Sequence, residues 1–281
     1  MKKEERQIPN IFDNINFEKL RKAYYNDEIN NPNNFSYWYP KLKNCGIKMA
    51  KAWFFKFSYE EWKTIESMEE ESSMEKALVI IKEKIEGNSE IKKGRLYNLK
   101  NGAFSNKFNA NDCFSNYYDI PRKFLNIQYA GMCLDADGSS EMVLREIIEY
   151  NPNTTLTIYN GLPLRPEFRA FVDFDNDKVL YIVNYWDYDY CYSHLDTTDK
   201  IIFDYAKSYL ESEFECNKDK VIELIEKNLI PYNKKQKDGL TGIWSVDVMK
   251  ADEDYYLIDM ALGYQSAYYD YDKIKEMKQQ N

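Results

Sequence analysis

Residues 164–186 read LRPEFRAFVDFDNDKVLYIVNYW, and the alternation within them decides the fold class. Side chains alternate faces along a strand. Phe168, Ala170, Val172 and Phe174 therefore share one face, and Glu167, Arg169, Phe171 and Asp173 share the other. Asp175-Asn176-Asp177 supplies turn residues, and 178–186 returns as a second strand, so 167–186 reads as a β-hairpin. A second hairpin is expected in IWSVDVMKADEDYYLIDMALG, residues 243–263, with strands over 242–249 and 255–260 and a turn at 251–254. Between the hairpins, Val221, Ile222, Leu224, Ile225 and Leu229 recur at helical spacing, so 199–229 predicts one or two helices. Strands, then helices, then strands again predict an α+β fold with an antiparallel sheet.

Upstream the signals are shorter. AWFFKF at 52–57 is strand-like, and 95–100 reads as a short strand before an Asn101-Gly102 turn. Residues 59–86 are acidic and lysine-rich, with a helical stripe of Ala77, Leu78, Ile80, Ile81 and Ile85 that Gly87-Asn88 ends. EMVLREII at 141–148 fits a helix or a strand on periodicity alone. Residues 30–34 read as a loop. The aromatic block at 35–40 reads as core packing, with a partner surface as the alternative.

Composition narrows the chemistry. The chain has 281 residues, 44% of them hydrophobic, enough for a sizeable core. A net charge of −9 and a pI near 5.0 weigh against non-specific nucleic-acid binding, which needs a basic surface. No apolar run is long enough to span a membrane, and the opening MKKEERQIPN lacks the apolar core of a secretory signal. Five scattered cysteines without a CxxC pair read as reduced thiols of a cytoplasmic protein. His194 is the single histidine, which removes multi-histidine metal sites and leaves no triad unless His194 carries it. His194 itself reads as a surface or packed residue. Chemistry falls to carboxylates, lysines, arginines and a bound cation.

Four polar clusters are candidates. Lys100 and Lys107 flank the turn in LKNGAFSNKF, where two ammonium groups and turn N–H donors can hold a polyphosphate; solvated hairpin lysines are the bland alternative. Arg165, Glu167 and Arg169 are spaced for one strand face, where two guanidiniums can hold phosphate or carboxylate; a surface charge ladder is the alternative. Asp247 and Asp259 come close if their strands pair, a costly pair among apolar neighbours unless Mg²⁺ or a cationic side chain neutralises it. Arg145-Glu146 lies inside an apolar run and decides nothing alone.

In this order the clusters resemble the ATP-grasp superfamily. Within it they are most similar to the branch of the eukaryotic cell-division-cycle assembly chaperone of translation initiation and its phage and bacterial ligase-like relatives. LKNGAFSNKF, EMVLREII, LRPEFRAFVDFDNDKVLYIVNYWDY, IWSVDVMKADEDYYLIDMALG and the early FSYWYPKL carry the resemblance, over roughly residues 35–270. It implies two α+β lobes with antiparallel sheets clamping a nucleotide. The chain then divides into an N-terminal region at 1–90, a smaller nucleotide-binding lobe at 91–150, and a C-terminal lobe at 151–281 that carries the metal. ATP and Mg²⁺ are the implied cofactors.

By resemblance Lys100 and Lys107 match phosphate-binding lysines. Residues Arg145, Glu146, Ile147 and Ile148 match the strand and hinge beside adenine. Arg165 and Arg169, with Glu167 between them, match groups facing phosphates or substrate, and Asp247 and Asp259 match the Mg²⁺ carboxylates. Where the family often has Asn two residues after the last aspartate, this chain has Ala261, so one oxygen ligand is missing. The resemblance implies an ATP-dependent ligase acting on an unidentified carboxylate or protein substrate. An ATP-binding assembly factor without turnover is the first alternative, and a phage-type nucleotide- or RNA-modifying enzyme the second.

Overall fold

The computed structural model describes residues 16–67, 71–134, 136 and 139–279. The opening MKKEERQIPN lies outside the described residues. The chain starts with helices α1 (Phe17–Ile29) and α2 (Phe35–Leu42), then strand β1 (Ala52–Lys56). Helices α3 (Tyr59–Glu66) and α4 (Glu71–Glu86) follow; Ser58 caps α3 with a reciprocal capping box to Glu61. Next come β2 (Leu96–Asn101), α5 (Ala110–Cys113), β3 (Phe114–Asn116), α6 (Ile120–Cys133) and β4 (Glu141–Glu146). The ambiguous EMVLREII is thus a strand.

Strands β1, β4, β2 and β3 form an antiparallel sheet in that order. Alternation explains its two faces. Trp53 and Phe55 of β1, Tyr97 and Leu99 of β2, and Met142 and Leu144 of β4 bury against α3, α4 and α6, with Trp62, Ile81, Ile85 and Phe124 among the facing residues. The opposite face carries the polar Asn98, Lys100 and Arg145 together with the apolar Val143. Burial of this many large apolar side chains, at about 1.5–3 kcal/mol each, is what fixes the strand faces. Because β1 belongs to this sheet, the expected division at residue 90 runs through the small lobe rather than between lobes.

The larger lobe holds β5 (Thr157–Ile158), β6 (Leu162–Pro163), β7 (Glu167–Asp173), β8 (Lys178–Asn184), α7 (Tyr188–Tyr192) and α8 (Thr197–Leu224). A π-turn at Ile225–Leu229 carries α8 into α9 (Ile230–Lys234) without a break, and Pro231 stands just past it, where the missing N–H leaves one carbonyl of the preceding turn without its helical donor. Then come β9 (Ile243–Ala251), β10 (Asp254–Leu262) and α10 (Tyr271–Gln279). The main sheet runs β10-β9-β7-β8, all antiparallel, so both expected hairpins are present. Phe168, Ala170 and Val172 meet Val246 and Val248 on a face packed by α8 and α9.

Helix α2 joins the lobes. Its buried side chains Phe35, Trp38, Tyr39 and Leu42 enter the large-lobe core, which also includes Val143 of the small sheet. Its first turn is tied to the small lobe: Phe35 N–H donates to the Gly102 carbonyl (2.9 Å) and Ser36 N–H to Glu141 Oε1 (3.0 Å). The close approach explains the glycine, since a Cβ there would lie 2.3 Å from Ser139 Oγ and 2.4 Å from Asn34 Oδ1. Within the aromatic block at 35–40, Phe35, Trp38 and Tyr39 are core packing, while Tyr37 is exposed.

Candidate nucleotide-binding cleft

The polar faces of the two sheets look at each other across a cleft. Lys100 is fully buried there, and its Nζ meets Asp259 Oδ2 at 2.8 Å. Arg145 donates through Nε to Asn98 Oδ1 at 3.0 Å and through Nη1 to the Ile258 carbonyl, so it bridges the lobes. Phe35 lies beneath both cations, 5.5 Å from Lys100 Nζ and 5.3 Å from the Arg145 guanidinium.

Strand pairing accounts for the facing wall. Arg169 on β7 stands directly across from Asp247 on β9, and a bidentate pair forms with both contacts at 2.7 Å. Asp259 reaches the same face through a β-bulge. The tight turn pairs Ala251 with Asp254, and the register holds as far as Leu257 with Val248. Continued unbroken, it would set Ile258 opposite Asp247 and send Asp259 into the core with Tyr255 and Leu257. The extra residue at Ile258 reverses the parity, so Asp259 pairs with Asp247 and turns to the cleft, while Met260 takes the core side. Each aspartate thus has its own cation, Arg169 for Asp247 and Lys100 for Asp259, in place of two unneutralised carboxylates.

Lys107 lies at the centre. Its Nζ donates to the Tyr185 hydroxyl at 2.9 Å and stands 3.8 Å from Glu167 Oε2. Tyr185 presents its ring to both Lys107 (4.2 Å) and Arg169 (4.8 Å). Glu167 is buried, and its Oε2 accepts no hydrogen bond among the described residues. Burial pushes the Glu167 pKa up against the pull of Lys107. Burial also pushes Lys100 below the ordinary lysine value, although Asp259 opposes it. Burial would raise the Asp259 pKa, but Lys100 and Arg145 outweigh it and hold the carboxyl below its usual value. Burial disfavours the Lys107 ammonium too, yet Tyr185, Glu167 and Asp247 keep its pKa above the ordinary value.

The expected residues are therefore gathered, with one correction. β7 begins at Glu167, so Arg165 precedes the strand and does not share the Arg169 face. Its Nη1 donates instead to the carbonyls of Ile148 (3.2 Å) and Glu149 (3.4 Å), bracing the segment that follows β4. That segment, with Glu146, Ile147 and Ile148, lines a cavity whose other walls include Phe35, Tyr39, Leu162 and Ile258. Glu146 also pairs with Arg95 at 3.1 Å. Sequence reasoning missed Phe35, Asn98 and Tyr185. Asn98 was findable, since it stands two residues before Lys100 and so on the same strand face.

No protein-family sequence profile matches the chain, and no curated protein matches it. Solved structures do match. C-terminally truncated Cdc123 from Schizosaccharomyces pombe superposes with a TM-score of 0.54 at 14% identity, covering 94% of each chain. Cdc123 from the same organism gives 0.50 at 16% identity, covering 89% of this chain and 92% of that one. The chain shares the fold of Cdc123, a mixed α+β architecture with antiparallel sheets. An ATP-grasp RimK domain protein from Sphaerobacter thermophilus is more distant, with a TM-score of 0.32 and 12% identity over 85% of this chain and 59% of that one.

A second cavity opens on the far side of the charged cluster, sharing Ser105, Lys107 and Asp259 with the first. Among the described residues no three His, Cys, Asp or Glu side chains gather as a metal cluster, and none of the helices is long and apolar enough to cross a membrane. The cysteines are free; burial pushes the thiols of Cys113 and Cys191 up to about 11, which keeps them protonated at neutral pH.

Proposed function

We propose that the chain binds ATP with Mg²⁺ and acts as an ATP-grasp ligase, activating a carboxylate for attack by an amine or another nucleophile. The observation that carries this reading is the meeting of two cavities at Lys107 and Asp259. A base lodged beside 146–148 directs its phosphates toward Lys100, Lys107 and Arg169, and their far end toward the second cavity, where another reactant can sit.

Four cations, Lys100, Lys107, Arg145 and Arg169, face three carboxylates, Glu167, Asp247 and Asp259. The surplus positive charge suits a polyphosphate. Asp247 and Asp259 fit Mg²⁺ as a pair of hard oxygen donors turned to one face, with Ser245 on the same face one step along β9. When bound, Mg²⁺ neutralises phosphate charge. Arg169 and Lys107 then remain to stabilise charge on the transferring phosphoryl group, and burial strengthens that interaction. In the reaction a carboxylate oxygen attacks the γ-phosphorus and ADP leaves with the bonding electron pair. The nucleophile then displaces phosphate from the acyl carbon and loses a proton. No step requires histidine or thiolate, which suits a chain whose single histidine is exposed and whose Cys113 and Cys191 thiols are held protonated by burial. The reading places the protein in the cytoplasm.

One residue favours a second reading. Ala261 stands where the resembled family often has an oxygen ligand, which suits an assembly factor that holds ATP without turning it over. The test is a melting series with ATP and Mg²⁺, followed by ADP assays with candidate carboxylates and amines. ATP binding stabilises by about 2.7 kcal/mol at one hundred times Kd. No rise in Tm at millimolar MgATP would sink both readings. A rise with ADP release supports the ligase, and a rise with a stable protein complex and no ADP supports the assembly factor.

A further inference from the structure

The second cavity has a volume of ≈ 350 Å³ and an unusual wall. One end is charged, formed by Lys107, Arg169, Asp247 and Asp259. The other is aromatic, formed by Phe108, Tyr159, Tyr185, Trp186, Tyr190 and Tyr268. Phe108 and Tyr190 stand at the mouth, 54% and 51% exposed. The rings meet edge to face or tilted: Phe108 with Tyr159 at 5.5 Å, Tyr190 with Tyr268 at 5.0 Å, Tyr185 with Trp186 at 5.2 Å.

Two of these residues hold strained backbone. The described non-glycine residues with positive φ include Asn160, Asp177 and Asp252, whose side chains tolerate that region, and two tyrosines, Tyr159 (φ 49°) and Tyr268 (φ 67°). Both tyrosines line this cavity. Neighbours enforce both conformations. Tyr159 N–H donates to Asp199 Oδ2 at 2.7 Å, and its carbonyl accepts from Ala110 N–H at 2.8 Å. The Tyr268 carbonyl accepts from the Tyr181 hydroxyl at 3.0 Å, and the Tyr268 hydroxyl donates to the Tyr185 carbonyl at 3.3 Å. Strain that the surroundings overdetermine tends to gather where a ligand is held.

We propose that this cavity is the subsite for the carboxylate substrate and that the substrate carries an aromatic body. The proposal rests on the ligase reading for the carboxylate, and on the ring wall for the aromatic group. The carboxylate lies at the charged end beside Lys107 and Arg169. The aromatic body lies along the wall, where edge and face contacts with several rings favour it over an aliphatic chain of equal length. A cationic ligand is disfavoured, because the inner end already seats two cations on Tyr185. A free aromatic acid and a peptide ending in an aromatic residue offer the same chemistry.

The experiment titrates full-length protein by calorimetry, with and without Mg²⁺ and a non-hydrolysable ATP analogue. The probes are 3-phenylpropionate, N-acetylphenylalanine and a hexapeptide ending in Phe, against hexanoate as the aliphatic control. Aromatic acids should bind at least about fivefold more tightly than hexanoate. Tighter binding by the hexapeptide than by N-acetylphenylalanine assigns the group to a polypeptide terminus, and equal binding assigns it to a free acid. Tyr190→Ala and Phe108→Ala, both at the mouth, should each weaken the aromatic acids roughly fivefold. Tyr205→Ala, 82% exposed on α8 and outside the cavity, should not. Nucleotide binding without preference for aromatic acids overturns the subsite alone. Aromatic binding lost in the two mouth variants, with no response to nucleotide, supports the subsite and overturns the ligase reading.

Discussion

Lys100 and Lys107 read alike in the sequence, yet the fold gives them different work. Lys107 touches Tyr185 and stands off Glu167, and Asp259 is not its direct partner. Lys107→Ala should weaken MgATP binding by about 1.5–3 kcal/mol, the value of one charge-assisted contact. Lys100→Ala removes the partner of half-buried Asp259 as well, so it should also lower apo stability by about 1–3 kcal/mol. Calorimetry and urea melts on both variants separate the two effects; equal apo stability would mean that the Lys100 pair is dispensable. The aspartates need a different readout, because Asn at either position also weakens an existing ion pair. The informative quantity is the Mg²⁺ concentration at half-maximal nucleotide binding. It should rise in Asp259→Asn and fall in Ala261→Asn, which adds an oxygen opposite Ser245. An unmoved midpoint in both would place the metal elsewhere.

At the scale of elements, buried Glu28 of α1 and half-buried Glu66 of α3 repel each other. Burial raises Glu28 to about 8, with Glu66 adding repulsion, and burial raises Glu66 to about 7. In the unfolded chain both ionise near 4.5. Above that pH the unfolded state loses protons that the folded state keeps, so stability falls as pH rises, until the folded carboxyls ionise near 7–8. Tm should therefore drop between pH 5 and pH 8, and Glu28→Gln should flatten the drop. Parallel Tm profiles for the two proteins would rule out Glu28 as a source. The pair was invisible in the sequence, since the two residues come from separate helices. Period-two alternation did reveal the hairpin at 167–186 and the Arg169 face, because buried apolar faces specify strands strongly. It could not reveal the bulge at Ile258, which depends on pairing, nor that Arg165 stands outside β7. Residues 141–148 were ambiguous because a doubly covered strand lacks clean alternation.

For the whole molecule, the N-terminal elements are structural parts of both lobes. β1 covers one edge of β4, and α2 fills the large-lobe core. A fragment of residues 91–281 should thus lack a cooperative melt, whereas the full chain should show one; circular dichroism against temperature decides between them. A cooperative transition in the short fragment would show that the lobes need neither element. The position of α2 also bears on how the protein is made. Its Phe35, Trp38 and Leu42 leave the ribosome early, but Val246 and Val248, which share their core, are translated near the end. At roughly 5–20 residues per second, the aromatic face of α2 waits on the order of ten seconds or more for its cover. Throughout that interval the nascent chain displays a ready ligand for a ribosome-associated holdase, so yield in the cell should depend on the supply of such helpers more than on the stability of the finished fold.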